Sequence, residues 1–419
     1  MLNRRGAARV GAPRHAIDHV DRRLSTAGRK HQASVKAVAV QGRPPARHCG
    51  PALSIARMSL ASVLLAVGLA SQPIEANALF QAEPYLPPAP RQRAPQSLPS
   101  AKAVSIDPKA LSIDPSSRSD VARAYQQSYL AQAGVGAGWN GNVAACNAGT
   151  TATAYRTAVM ERINFYRALA GVPGVIVHSA DSTISANAQQ AALMMSAQGA
   201  LSHSPANSWA CYSVGGASGA GGAGSSNLAL GRSGAAAIDL YMVDPGSGNA
   251  AVGHRRWLLY PPRLVMASGD IPSGTQANAL YVFGSNGARP ATPLGVAWPP
   301  RGFVPYQVLP ASSNRWSLSY PGANFSAAVV SMRVNGELIS SVVDSRSDNG
   351  YGDNTLVWRP ATGSNAVVYG ATGVNRSYEV SVSGISGSGV PNSLSYTVTV
   401  IDGLEAFTSS SAFFINGFE

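Results

Sequence analysis

The sequence predicts an α+β protein in which a helix-rich half precedes an all-β, immunoglobulin-like sandwich. Three observations carry that expectation. Apolar residues recur at helical spacing through Thr153–Ala170 and Asp181–Gln198. Past Pro290 the pattern changes to short runs that alternate apolar and polar residues, such as AVVSMRV, SYEVSVS and LSYTVTV. The runs are separated by Asn-Gly, Asp-Asn-Gly, Pro-Gly and Ser-Gly turns. A chain of 419 residues is long enough to bury two or three cores.

The formal charge of +12 is unevenly placed. Residues 1–57 hold 12 Lys and Arg against Asp18 and Asp21, whereas past Ala78 there are 20 basic and 17 acidic residues. A nearly neutral body argues against nucleic acid or a membrane surface as partner. Leu60–Ala70 is an eleven-residue apolar run followed by Ala76-Asn77-Ala78, the pattern of a secretory signal peptide near residues 53–78. It is shorter than the roughly 20 residues a membrane span needs, so no transmembrane segment is expected in the mature chain. The late start marks residues 1–52 as an over-extended beginning, and the location expected is secreted or periplasmic. Without Cys49 the remaining cysteines are Cys146 and Cys211, which in an oxidising compartment are expected to pair. A closed loop of that length contributes about 4 kcal/mol in the chain-entropy model.

Leu79–Pro115 carries eight prolines and little apolar periodicity, and reads as a semi-rigid exposed linker. A helical patch follows around Val121–Ala133. The first long helix sets Val159, Ile163, Tyr166 and Ala170 on one face and ends at Gly171-Val172-Pro173-Gly174. The second has Asp181 or Ser182 as its cap, with Ile184, Ala188, Ala191 and Met195 on one face and Gly199 as its stop. The glycine-rich run Gly215–Gly224 lacks a P-loop lysine and a preceding strand, and reads as a flexible surface insertion. A third helix is expected at Gly234–Val243 and strands at Leu264–Asp270 and Ala279–Phe283. In the sandwich of about seven antiparallel strands, Val330, Met332 and Val334 should face inward, Ser331 and Arg333 outward, with Asn335-Gly336 closing a hairpin. Asp344, Asp348 and Asp353 fit no calcium loop and read as turn acids.

Among the seven histidines, His203 and His254 end helical or turn segments beside small residues, and Asp244 lies between them. Two imidazoles and a carboxylate are a sufficient set for a zinc-like ion with an open position, or for acid/base work on water. Trp257, Leu258 and Leu259 are expected in the core, with Arg255 and Arg256 paired to acids or solvated. The sharper reading places one arginine in a cleft to recognise an anion.

The order INFYRALAGV (163–172), AQQAALMM (188–195), LSH (201–203), SNLALG (226–231), YMVD (241–244) and GHRRWLL (253–259) resembles the CAP superfamily of cysteine-rich secretory, antigen 5 and pathogenesis-related proteins, and within it the bacterial secreted branch. The resemblance implies an α-β-α sandwich in which two histidines and two acids share a cavity that binds a divalent ion in some members. Those positions fall on His203, His254, Asp244 and Ser226, so one acid is replaced by serine and the other is a shorter aspartate, with Tyr241 standing where the family has tryptophan. Fewer carboxylates weaken the hold on a cation. Zinc held by His203 and His254 is the one candidate cofactor, while two neutral imidazoles bonded to Asp244 and to Ser226 would fill the pocket without metal. Asn164 and Arg167 match the first-helix motif, with a structural role.

The segments expected are 1–78, an over-extended N-terminus plus signal peptide; 79–135, a Pro-rich linker; 136–288, the CAP-like domain; 289–405, the sandwich as spacer or second contact; and 406–419, a tail. The function implied is binding of a cell-surface, wall or lipid ligand through a His-lined cleft. The alternative is a peptidase or esterase acting through His203, His254 and Asp244, with Ser226 as the remote candidate nucleophile.

Overall fold

The helix-rich half is built where the sequence spacing places it. The computed structural model describes residues 86–92 and 111–406, apart from 215, 310–313, 347–349, 361–366 and 368. The apolar run Leu60–Ala70, Cys49, Asp348 and residues 407–419 lie outside the described residues. Helix α1 (Arg118–Ala124) continues through a wider turn, Tyr125–Tyr129, and a tighter one, Leu130–Gln132. Helix α2 (Thr153–Leu169) buries Val159, Ile163 and Tyr166, and α3 (Ser182–Gln198) starts where Asp181 Oδ1 accepts from the Thr183 amide at 2.8 Å. Gly199, with φ 65°, adopts the left-handed conformation that ends α3.

Strands β1 (Val177–His178), β2 (Ser226–Leu230), β3 (Val265–Ile271) and β4 (Ala277–Tyr281) form a sheet of order β1-β3-β4-β2, with β1 parallel to β3 and the other pairs antiparallel. Alternation along the strands supplies two apolar faces. Ala229, Met266, Leu280 and Val282 meet α2, α5 (Ala235–Val243) and α6 (Gly253–Leu258). Leu228, Ile271, Ala277 and Ala279 meet α3 and the short helix α4 (Gly219–Gly224). The result is the α-β-α layering that the resemblance implied. A disulfide between Cys146 and Cys211, with Cα atoms 5.2 Å apart, ties the turn before α2 to the loop after α3.

Two sequence expectations are corrected here. The glycine run does not form a flexible insertion. Its second half is the packed helix α4, because glycine alone fits where a Cβ on Gly222 would collide with the Asn187 carbonyl of α3 and one on Gly219 with the Met194 sulfur. The proline-rich stretch is not uniformly exposed either: Leu86, Pro87, Ala89 and Pro90 are buried, and α1 packs its Val121 and Ala122 into the core.

Beyond Pro290, two sheets face each other. One has the order β10-β11-β7-β5 (Ser341–Ser345, Thr355–Pro360, Trp316–Ser319, Val296–Trp298). The other has the order β6-β13-β12-β8-β9 (Gly302–Pro305, Ser393–Ile401, Ser377–Ser383, Val329–Val334, Glu337–Ile339). Nine strands among the described residues make this sandwich, against the seven expected, since three-residue strands such as β5 and β9 are too short to show alternation. The β6–β13 pair is parallel, while the other pairs of the sandwich are antiparallel. Met332 and Val334 are buried, Ser331 and Arg333 are exposed, and Val330 is half-buried. Asn335 and Gly336, both left-handed, close the β8–β9 hairpin. Between the sheets Trp316 meets Tyr378 at 6.1 Å between ring centroids, and Trp358 Nε1 donates to the Met332 sulfur.

The sandwich is no mere spacer. Tyr166 of α2 meets Trp298 of β5 edge-on at 5.4 Å, and one continuous apolar core runs through both halves. Arg255 is buried and donates to the carbonyls of Met242 and Arg315, and Arg256 donates to the Asp353 carbonyl. Both are buried, so the expectation that they stay solvated is replaced, and the Arg255 guanidinium is held by carbonyls and the Ser317 hydroxyl. Both arginines satisfy backbone carbonyls at the junction, where five fixed donors on a planar group suit several acceptors at once. Neither is free for an anion in a cleft.

Candidate functional site

The site begins with two departures from ordinary backbone. Asp244 caps the C-terminus of α5 at φ 53°, a left-handed conformation that a short aspartate tolerates. Val252, at φ 45°, is a β-branched residue in the same region and directly precedes α6. Such a conformation costs about 1–3 kcal/mol and is held by its surroundings. Together these turns bring the Asp244 carboxylate to the first turn of α6.

There Asp244 Oδ2 accepts from the backbone amides of His254, at 2.9 Å, and Arg255, at 3.3 Å. Its Oδ1 accepts from His254 Nδ1 at 2.7 Å. Both side chains are fully buried. Because a carboxylate only accepts, Nδ1 carries a proton, and in the neutral ring Nε2 then presents its lone pair. That Nε2 is buried without a hydrogen-bond partner. The Tyr241 ring stacks on His254, with centroids 5.5 Å apart and planes 9° apart, and its hydroxyl donates to Asn278 Oδ1 at 2.8 Å. Asn278 in turn donates to Asp270, which also accepts from the Ser268 hydroxyl and the Gly234 amide. Burial pushes the Asp270 carboxyl above the ordinary range, and those donors push back. From the other side Arg315 of the sandwich donates to the Asp244 carbonyl at 3.0 Å.

His203 follows α3 in the Ser202–Pro205 turn. Its Nδ1 lies 2.7 Å from the Ala223 carbonyl of α4, and its Nε2 lies 2.8 Å from the Pro88 carbonyl. Burial pushes its pKa below the ordinary value, the two carbonyls raise it, and the proximity of the His254 ring lowers it further. A neutral ring has one N–H for two facing carbonyls, so only the imidazolium satisfies both.

The structure thus joins His254 to Asp244 and places His203 within electrostatic reach of His254, while His203 makes no bond to Asp244. Ser226 is buried with its hydroxyl unpartnered, so the expected bond between Ser226 and an imidazole is not made. Strand alternation separates Ser226 from His254: Ser226 and Leu228 share one face of β2, toward α3 and α4, whereas Asn227, whose amide donates to the His254 carbonyl at 3.3 Å, is on the other. Among the described residues no histidine is hydrogen-bonded to Ser226.

The residues do not fit a zinc ion. Both ring nitrogens of His203 and both oxygens of Asp244 are committed, leaving His254 Nε2 as the uncommitted donor of the trio. Among the described residues no three His, Cys, Asp or Glu side chains are grouped to hold a metal. In the sandwich, Asp344 pairs with Arg315 and Arg359, and Asp353 with Arg289.

Asn164 and Arg167 act structurally. Asn164 exchanges two hydrogen bonds with the backbone of Ile176, at 2.8 and 2.9 Å. Arg167 holds the carbonyls of Leu258, Tyr260 and Pro261. Sequence reasoning missed Asn249 and the indole N–H of Trp257, which donate to the carbonyls of Leu86 and Pro90. The available signal was that a buried tryptophan needs an acceptor.

Residues 160–267 match the family model described as the cysteine-rich secretory protein family, CAP. No curated protein and no solved structure matches the chain. The motif order, the three-layer fold and this match together identify a CAP domain over residues 160–267.

Proposed function

We propose that this is an exported protein that binds an extracellular or envelope ligand through the cleft between His203 and His254. Export is supported by the Cys146–Cys211 disulfide and the apolar run Leu60–Ala70. Among the described residues no helix is long and apolar enough to cross a membrane. Within this reading the binding module is the CAP-like domain at 136–288, and the sandwich at 289–405 braces it.

The observation that carries the binding role is the state of His203: its Nε2 already engages a main-chain carbonyl, that of Pro88, at 2.8 Å. Co-sedimentation with isolated cell walls, and separately with phosphatidylcholine vesicles, tests this reading. The parent is expected to sediment with one of them. His203→Ala/His254→Asn, in which the Asn amide can still donate to Asp244, should lose binding by at least tenfold while keeping its near-ultraviolet dichroism. Equal binding by this variant would remove the cleft from the function.

A second reading is favoured by one observation, the unpartnered lone pair on His254 Nε2 oriented by Asp244. That arrangement can take a proton from water in ester or peptide hydrolysis. Asp244→Asn puts a donor against Nδ1 and so moves the ring proton to Nε2, which should lower any hydrolysis by roughly 100-fold or more. Hydrolysis that survives in Asp244→Asn belongs to another site.

A further inference from the structure

The cleft is occupied by the protein itself. Residues 86–92, LPPAPRQ, lie along it, and the carbonyls of the alternate residues Leu86, Pro88 and Pro90 face inward. The Leu86 carbonyl accepts from Asn249 Nδ2 at 3.1 Å, that of Pro88 meets His203 Nε2 at 2.8 Å, and that of Pro90 accepts from Trp257 Nε1 at 2.9 Å. Gln92 extends the contact by donating its amide to the Gly350 carbonyl at 3.1 Å. The floor therefore presents the side-chain N–H groups of Asn249 and Trp257, and a third from His203 when its Nε2 is protonated, and the occupant presents acceptors.

Proline suits this floor for two reasons. Pro87, Pro88 and Pro90 have no N–H, so few backbone donors are covered without a partner, and their fixed φ lowers the entropy lost on binding. Ala89 sets a size limit, since even a Cβ on Gly253 beneath it would come within 2.8 Å of the Ala89 methyl and 3.1 Å of the Tyr351 ring. A side chain larger than alanine has no room there.

We propose that the cleft is a recognition site for extended, proline-rich peptides with a small residue between two prolines, and that residues 86–92 are a tethered internal competitor for it. The proposal rests on the reading of the cleft as a binding site and names its ligand class. The segment then acts as an autoinhibitory strap whose displacement opens the site.

The first arm of the test keeps every cleft residue native. A protease site inserted between Ser100 and Ala101 of the full chain allows the fragment carrying the strap to be cut free after folding, and gel filtration reads whether it stays with the body. Synthetic LPPAPRQ peptide, added in excess, is expected to displace the fragment and to bind the opened protein in fluorescence anisotropy. LPPLPRQ, with leucine in place of Ala89, should bind at least tenfold more weakly. Trp257→Phe, which keeps an aromatic ring but removes the indole N–H, should weaken LPPAPRQ about fivefold to tenfold.

A fragment that no peptide concentration displaces would mark the strap as a fixed part of the fold and overturn the proposal. So would an opened chain that ignores LPPAPRQ, or one that takes LPPLPRQ equally well. Wall or vesicle binding that persists while the peptide fails would sink the peptide class alone. Loss of wall and vesicle binding with peptide displacement intact would sink only the reading of what the cleft meets outside the cell.

Discussion

His254 shows how one residue inherits its chemistry from its neighbours. Its proton position follows from Asp244, its ring plane from Tyr241, and its backbone amide is itself held by the same carboxylate. His178 and His203 are set differently. Burial is the main cause that pushes both below the ordinary histidine value of 6.5. For a base depressed on folding, the unfolded chain binds the proton first. Stability should therefore be flat above about pH 6.5 and fall as the pH drops below it toward the folded values. Thermal unfolding followed from about pH 8 to pH 5 should show Tm falling in acid, and falling less in His178→Gln. Asp270, raised by burial, works in the opposite sense, so the comparison is between variant and parent. Parallel curves for the two proteins would remove His178 as a cause.

At the scale of elements, α4 is the piece whose sequence is least like its structure. Six residues drawn from glycine and alanine form a helix because Ser218 caps it by accepting from the Gly221 amide and because α3 lies close along its side. Ala223 of this helix then supplies the carbonyl that meets His203. Gly222→Ala tests the packing. Alanine gains about 1 kcal/mol in helix propensity over glycine, but the new methyl meets a backbone carbonyl that cannot rotate away, and overpacking costs about 1–3 kcal/mol. The expected outcome is a lower Tm and weaker ligand binding through a displaced His203. Gly224→Ala, whose methyl would lie 3.4 Å from the His203 carbonyl, should leave both nearly unchanged. Equal behaviour of the two variants would show that α4 does not depend on close approach to α3.

For the whole molecule, the decisive feature is the junction. Tyr166, Trp298 and the buried Arg255 make one interior out of two architectures, and the strap reaches both, since Trp257 holds Pro90 while Arg91 donates to the Tyr351 hydroxyl. Calorimetry should therefore give a single unfolding transition for the described body, with calorimetric and van't Hoff enthalpies in agreement. Trp298→Ala should lower that one transition by about 3–5 kcal/mol, even though the residue belongs to the sandwich. Two separate transitions would mean that the halves unfold independently.

Helical spacing, cap residues and strand alternation are local properties, which is why α2, α3, α5 and the β8–β9 hairpin could be placed from sequence to within a residue or two. The pairing of Cys146 with Cys211 and the involvement of His203, Asp244 and His254 were legible for the same reason, through residue type and order. The burial of the strap, the packing of α4, the isolation of Ser226 and the role of Arg255 were decided by tertiary structure. Each depends on which donors, carbonyls or empty volumes lie across the fold, and no window of the chain contains those partners. Sequence determined, by residue type and order, that His254 and Asp244 would be singled out, and three-dimensional packing determined that they would bond to each other and that the carbonyls of Leu86, Pro88 and Pro90 would meet Asn249, His203 and Trp257.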